Sequence, residues 1–287
     1  MRLLVLLLAL WAPLAEAQLD FGRIINRTID SAKKFQEANR EFSADEEVAL
    51  GNGITASFLG AAPLHGDASL QRYVNRVGKW LALHSDRADL PWSFGVVDTD
   101  TINAFAMPGG TVLVTHGLLR RLGSESELAA ALAHEIAHVV RKHQLAAIQS
   151  SLNSEIWASF GKEAAGRAIG RRGDVMGLGS AAANVGVDAL KNGVFLRPLD
   201  RSMEYDADRL GVLIATRSGY DPYGMAAVMQ MLAQNKPDGS GVSVFDTHPA
   251  PGDRLQELET FIPARLERFA GQPQLEQRFR AALGASR

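Results

Sequence analysis

Cysteine is absent from all 287 residues. No disulfide can staple the fold, no thiolate can bind a metal, and no cysteine can carry a lipid at a processing site. An excess of either charge is also missing: 30 Lys and Arg stand against 32 Asp and Glu, a formal net charge of −2. That balance argues against a bulk nucleic-acid or membrane-surface binder and leaves the class of partner open. There is no low-complexity tract and no internal repeat. Past the N-terminus, no apolar run approaches the roughly 20 residues that cross a bilayer. What remains is 46% apolar and 22% charged, enough for a sizeable core in one large domain or two small ones. Such a chain must be held by its core, by a metal, or by both.

The opening "MRLLVLLLALWAPLAEAQ" has one cation, Arg2, then an apolar run from Leu3 to Trp11 and a small-residue site at Ala15–Glu16–Ala17. This is the layout of a secretory signal peptide over residues 1–17, cleaved after Ala17. The run is about half the roughly 20 residues a membrane anchor requires. The expected mature chain, residues 18–287, is an exported, periplasmic or secreted single domain with no transmembrane segment.

Its first stretch reads as a helix stopped by Gly51, and Asp67–Ser85 as an amphipathic helix. Trp92–Asp98, Asn103–Gly110 and Thr111–Gly117 read as strands of one small antiparallel sheet, with Pro108 at an edge or turn. Ser124 and Glu127 form a capping box that opens the next helix after Gly123. Residues 166–186 hold six glycines and are a candidate gate. Asp200–Ala215 is again helical, Asp221 and Pro222 start a further helix, and charged amphipathic helices run to the C-terminus. The whole is mostly helical α+β, one domain with one small sheet.

Within the capped helix lies "HEIAH". Residues four apart share a helix face, so His134 and His138 can present two imidazoles to one ion. Glu135 lies about 100° round, placed to deprotonate a water beside the ion. Leu132, Ile136, Val139 and Val140 can anchor the helix in the core. With seven histidines in the chain, this spacing arises by chance on the order of once in a hundred such sequences. A catalytic zinc site needs a third protein ligand. His143, roughly 140° off the ligand face and with no glycine to turn the chain, reads instead as a helix-end histidine favoured by the macrodipole. Glu204 and Asp208 in "EYDAD" are again four apart. One can bind the metal while the other accepts a hydrogen bond from a ligating imidazole. His65, His84 and His116 show no ligand-like partners and read as incidental.

In order, "NAFAMPGG", Gly117–Leu119, "HEIAHVVRKH", "EYDADRLG", "GYDP" and "THPAPGDRL" resemble metallopeptidase family 48. That family includes membrane prenyl-protein proteases and soluble periplasmic proteases of outer-membrane quality control. The resemblance covers most of residues 18–287, with a catalytic core over roughly 67–260, and implies a gluzincin-like metalloprotease domain. It implies one zinc per chain on His134, His138 and Glu204, with Glu135 as general base. Asp208 is implied as proton donor or as orienter of a ligating histidine. Asn103, Ala104, Phe105 and Ala106 would be the edge strand on which an extended substrate pairs. His248 would approach the metal, as oxyanion stabiliser or as an extra ligand, and Arg254 would hold that loop or meet charge on the substrate. The implied partners are proteins or peptides, including unfolded or misassembled exported proteins and outer-membrane assembly clients, and not nucleic acid. The competing reading is a zinc-stabilised chaperone or adaptor that binds unfolded chains without cutting them. Some relatives carry a repeat domain or membrane spans; the stretch after Arg254 is too short for a repeat array.

Overall fold

A computed structural model of the chain describes residues 41–150, 198–235, 244 and 248–284. The expected signal peptide and the glycine-rich stretch 166–186 lie outside the described residues.

Helix α1 (Ala44–Ala61) opens on a capping box in which the Ser43 hydroxyl accepts from Glu46 N–H and the Glu46 carboxylate accepts from Ser43 N–H. Gly51 does not stop this helix; it lies inside it. A Cβ there would fall 1.7 Å from the Pro108 carbonyl oxygen, so the glycine permits a close approach instead of a termination. Helix α2 (Ala68–Ala82) is capped by the Asp67 carboxylate and buries Leu70, Val74, Val77 and Leu81, as the apolar spacing predicts.

Strands β1 (Ser93–Val97), β2 (Ala104–Met107) and β3 (Thr111–Thr115) form one sheet in the order β1-β3-β2. The expected antiparallel pairing holds for β2 and β3 only; β1 pairs β3 in parallel. β2 lies on the far side of β3, so the chain reverses twice between β1 and β3, and the sheet is mixed. β2 is therefore an edge. Its hairpin turns on Gly109 and Gly110, at φ 80° and 103°, values that favour glycine. Glu47 of α1 accepts the Gly109 N–H at 3.1 Å while pairing with Arg87 at 2.8 Å, which fixes the turn against α1.

After the short helix α3 (His116–Leu119) comes α4 (Glu125–Val140). The Ser124 hydroxyl accepts from Glu127 N–H at 3.2 Å; the Glu127 carboxylate reaches Gly123 N–H at 2.8 Å rather than closing a full box. Every residue from Leu128 to Val139 is buried, the mark of a helix surrounded by other elements. Around it pack α2, α5 (Arg201–Arg217) and α6 (Gly224–Gln234), followed by α7 (Pro251–Leu266) and α8 (Glu276–Gly284). Asp221 does not cap α6 as expected. The helix begins at Gly224 and the Asp221 carboxylate accepts from Tyr223 N–H at 2.8 Å, in the turn before it.

The main core gathers Leu128, Leu132, Ile136, Ile214, Met225 and Leu258. A smaller cluster on the other side of the sheet packs Val97, Phe105, Met107 and Leu113 under Ile54, Phe58 and Leu59 of α1. No helix among the described residues is long and apolar enough to cross a membrane.

Candidate metal centre

The site exists because α4 and α5 cross closely. At the crossing is Gly211, where a Cβ would lie 3.0 Å from the backbone nitrogen of His134 and 3.1 Å from its Cα. Asp208 and Glu204 precede Gly211 by three and seven residues, so all three share the face of α5 that meets the histidines. Small residues on both helices thus bring two imidazoles and two carboxylates together.

The Nε2 atoms of His134 and His138 are 3.0 Å apart. Glu204 places Oε2 3.6 Å from the first and Oε1 3.6 Å from the second. Atoms bound at about 2.0–2.2 Å to one tetrahedral ion are separated by about 3.3–3.6 Å, so this triangle needs little adjustment to grip one. Both Glu204 oxygens are buried and have no hydrogen-bond partner. A buried carboxylate that accepts no hydrogen bond is costly even with the Arg254 guanidinium 3.6 Å away, and a cation bound directly to it lowers that cost. The residues present therefore fit a divalent metal ion.

The outer nitrogens of both rings are held. His134 Nδ1 lies 3.0 Å from Asp208 Oδ1. Asp208 is gripped by Arg254 through Nε at 2.8 Å and Nη2 at 2.5 Å, all of it buried. His138 Nδ1 lies 3.0 Å from Nδ1 of His143. This corrects the reading of His143 as a helix-end residue with no part in the site. α4 ends at Val140, and Lys142, though not glycine, adopts φ 57°. The left-handed residue turns the chain back, so His143 is buried against His138. Its Nε2 faces Asp206 at 3.9 Å, a carboxylate that also pairs with Arg141 at 2.8 Å.

Glu135 points into the same space, where a half-open pocket is lined by Asn103, Ala104, His134, Glu135, His248 and Arg254. Burial pushes its carboxyl up to about 8, against the opposing charge of Arg254 and a hydrogen bond from the Ala106 N–H. Burial likewise raises Glu204 to about 8; Arg254 opposes the shift, and Asp208 and Glu135 add to it. Burial also raises Asp208, but the Arg254 charge and hydrogen bonds and the contact with His134 outweigh it, leaving the group well below the usual carboxylate range. His134, His138 and His248 are all lowered, by burial first and by neighbouring cationic groups second, which keeps them in the neutral form that binds metal.

His248 does reach the site. Its Nε2 is 3.8 Å from Glu204 Oε2 and 4.0 Å from Glu135 Oε1, and it joins His134, His138 and Glu204 as a possible fourth ligand. Arg254 is found committed to Asp208, with Nη1 3.6 Å from Glu204, and so lies behind the ligands. Of the four residues expected on the edge strand, Asn103 lies just before β2; it and Ala104 line the pocket and Ala106 contacts Glu135, whereas the Phe105 ring turns away onto Phe58, 4.7 Å between centroids. Phe105 can then contribute main chain only. Among the remaining histidines, His84 stacks edge-on against Trp80. His65 and His116, read as incidental, stand together beside Asp98.

Two histidines and a glutamate from crossing helices, with a buried glutamate next to the first histidine, define the site of a helix-borne metallopeptidase. The family model described as Peptidase family M48 matches residues 68–262, and the chain belongs to that family. Similar proteins include the beta-barrel assembly-enhancing protease of Escherichia coli K12, 29% identical over 253 residues, covering 84% of this chain and 50% of that protein. The protein of the same name from Yersinia pestis is 32% identical over 77% of this chain and 44% of its own length. The mitochondrial metalloendopeptidase OMA1 of Schizosaccharomyces pombe is 31% identical over 67% of this chain and 52% of its own. The chain thus spans about half the length of the curated relatives it matches.

Proposed function

We propose that this chain is a zinc endopeptidase that cuts exported proteins, unfolded or misassembled, in the periplasm. The reading includes a signal peptide over residues 1–17 and a single peptidase domain over 18–287. The observation that carries it is the convergence on one point of His134 Nε2, His138 Nε2 and a Glu204 carboxylate that accepts no hydrogen bond. This donor set of two imidazoles and one carboxylate, with donor atoms 3.0–3.6 Å apart, suits zinc. When bound, the ion supplies Lewis acidity, polarising a scissile carbonyl and making water acidic enough to be deprotonated near neutral pH.

The chain's own residues do the rest. Glu135, adjacent to the ligands and buried, takes the proton of the attacking water and passes it to the leaving nitrogen. Asp208 accepts from His134 Nδ1–H, which leaves Nε2 as the free donor, and Arg254 keeps Asp208 ionised for that task. This favours orientation over proton donation for Asp208. His143 plays the matching part for His138. His248, with Nε2 3.8 Å from Glu204 and 4.0 Å from Glu135, would serve either as a further ligand or as the group that meets the oxyanion. An extended segment pairing along β2, beside Asn103, Ala104 and Ala106, takes its register from main-chain hydrogen bonds, which supports broad specificity. The name of two relatives, beta-barrel assembly-enhancing protease, supports clients from β-barrel assembly.

The test is Glu135→Gln, assayed for zinc content and for cleavage of unfolded substrates such as casein or an unassembled porin. The proposal expects full zinc and turnover reduced at least 10²–10⁴-fold. Undiminished protection of clients by a wild-type chain that never cleaves them would support the chaperone or adaptor reading instead.

A further inference from the structure

A second group of ligating side chains stands apart from the centre above and shares no residue with it. His65, Asp98 and His116 each offer one ligand atom, and these atoms lie within 4.8 Å of one another. Three separate segments supply them: the stretch between α1 and α2, the residue that follows β1, and the first residue of α3. We infer that this cluster is a second binding site for a divalent transition-metal cation of the zinc type.

The backbone beneath the three side chains is built rather than incidental. Leu64 bridges Val97, with His65 N–H donating to Val96 O at 2.9 Å and Asp98 N–H donating to Pro63 O at 2.8 Å. The Gln71 amide on α2 clamps the same two segments, donating to His65 O at 2.9 Å and Val96 O at 2.8 Å and accepting from Val96 N–H at 2.8 Å. On the other side, Gly117 N–H donates to Thr99 O at 2.9 Å. A Cβ on Gly117 would fall 2.1 Å from Asp100 O, so only glycine lets the loop after β1 sit against the start of α3. That approach sets His116 beside Asp98 and brings its ring against His65 in a tilted arrangement, 4.3 Å between centroids and 36° between planes.

The chemistry suits a borderline cation. Two imidazoles and one carboxylate leave a fourth, tetrahedral position for water. Partial burial, with His65 and Arg120 nearby, lowers the pKa of His116 and favours its neutral, ligating form. Asp98 is exposed and free to swing the last ångström. His65 carries a hydrogen bond from Asp67 N–H at 3.3 Å; it is long and at the solvent edge, so ligation can replace it with water. His116 directly follows Thr115, whose hydroxyl accepts from Asn103 N–H at 3.1 Å. An ion here would therefore tie down the segment that leads into edge strand β2.

The test is metal stoichiometry of the tag-free chain, stripped by a chelator and then equilibrated with buffered micromolar free Zn²⁺. Two ions per chain are expected by elemental analysis. His65→Ala and His116→Ala should each leave one, with an unchanged far-UV spectrum, and His65→Gln serves if either alanine variant misfolds. Glu204→Gln should also lower the count, and combining it with His116→Ala should lower it further, so the two sites are counted separately. A wild-type chain that binds one ion, removed only by Glu204→Gln, overturns the second site and leaves the first standing. A second ion unaffected by every change at His65 and His116 overturns it as well.

Discussion

Arg254 holds Asp208 through two hydrogen bonds, at 2.8 and 2.5 Å, and both side chains are buried. Asp208 in turn lies 3.0 Å from His134 Nδ1. The pair is a support behind the ligand ring, so its two halves should fail differently. Arg254→Ala strands a buried carboxylate and should destabilise the fold by about 3–5 kcal/mol, measured by denaturant unfolding. Asp208→Asn keeps the shape and weakens the hold on His134; zinc affinity should fall about 10–100-fold by competition with a chromophoric chelator. Unchanged affinity in Asp208→Asn would show that it does not orient the ring.

Gly211→Ala should push α5 away from α4, because the new methyl meets His134 backbone at 3.0–3.1 Å. Overpacking of this kind costs about 1–3 kcal/mol. Since Glu204 and Asp208 ride on the same helix face, zinc occupancy should fall along with the melting temperature. A stability loss with full occupancy would mean the crossing does not set the ligand geometry.

His143→Phe distinguishes two roles. A helix-end histidine acting on the macrodipole would lose less than about 1 kcal/mol and leave metal binding alone. As the partner of His138 Nδ1, its loss should weaken zinc binding about 10–100-fold.

The metal-free chain should show a stability maximum near pH 6.5. His143, lowered to about 4 from 6.5 chiefly by burial, is neutral when folded. A depressed histidine contributes stability that is present above its unfolded pKa and lost as pH falls towards the folded one, so stability declines from about 6.5 down to 4; His134, His138 and His248 act in the same sense. Glu135 and Glu204, raised by burial from 4.5 to about 8, act oppositely. Their stability is fully present below 4.5 and is lost as pH rises from there through about 8; between 4.5 and 6.5 the four histidines outnumber these two carboxyls, so the net trend there still rises with pH. Above 6.5 only the carboxyls still titrate, which gives a falling alkaline limb. Zinc stabilises the ionised carboxylates and should abolish that limb. Urea midpoints between pH 4 and 9, with chelator and with zinc, check both arms; an alkaline limb equally steep with zinc present would contradict the assignment.

Much of the site was legible because helix periodicity converts spacing into a face: His134 with His138, and Glu204 with Asp208, needed no tertiary information. The strands over 93–97, 104–107 and 111–115 were legible from their β-rich runs and the Pro-Gly-Gly turn. Strand order was not, since short strands carry no signal of which neighbour they choose, and so β1 joined β3 in parallel. Gly51 and Gly211 misled or went unnoticed because a helical glycine signals its role only through what it touches. His143 was missed because Lys142, a residue with no preference for positive φ, makes the turn. His65 and His116 lie 51 residues apart in sequence and meet only through the sheet.

The most direct test of the account is anomalous diffraction at the zinc edge from crystals of the zinc-loaded chain. The account predicts a peak about 2.0–2.2 Å from His134 Nε2, His138 Nε2 and the Glu204 carboxylate. No peak among these residues, or a Glu204 side chain turned away from both rings, would contradict it.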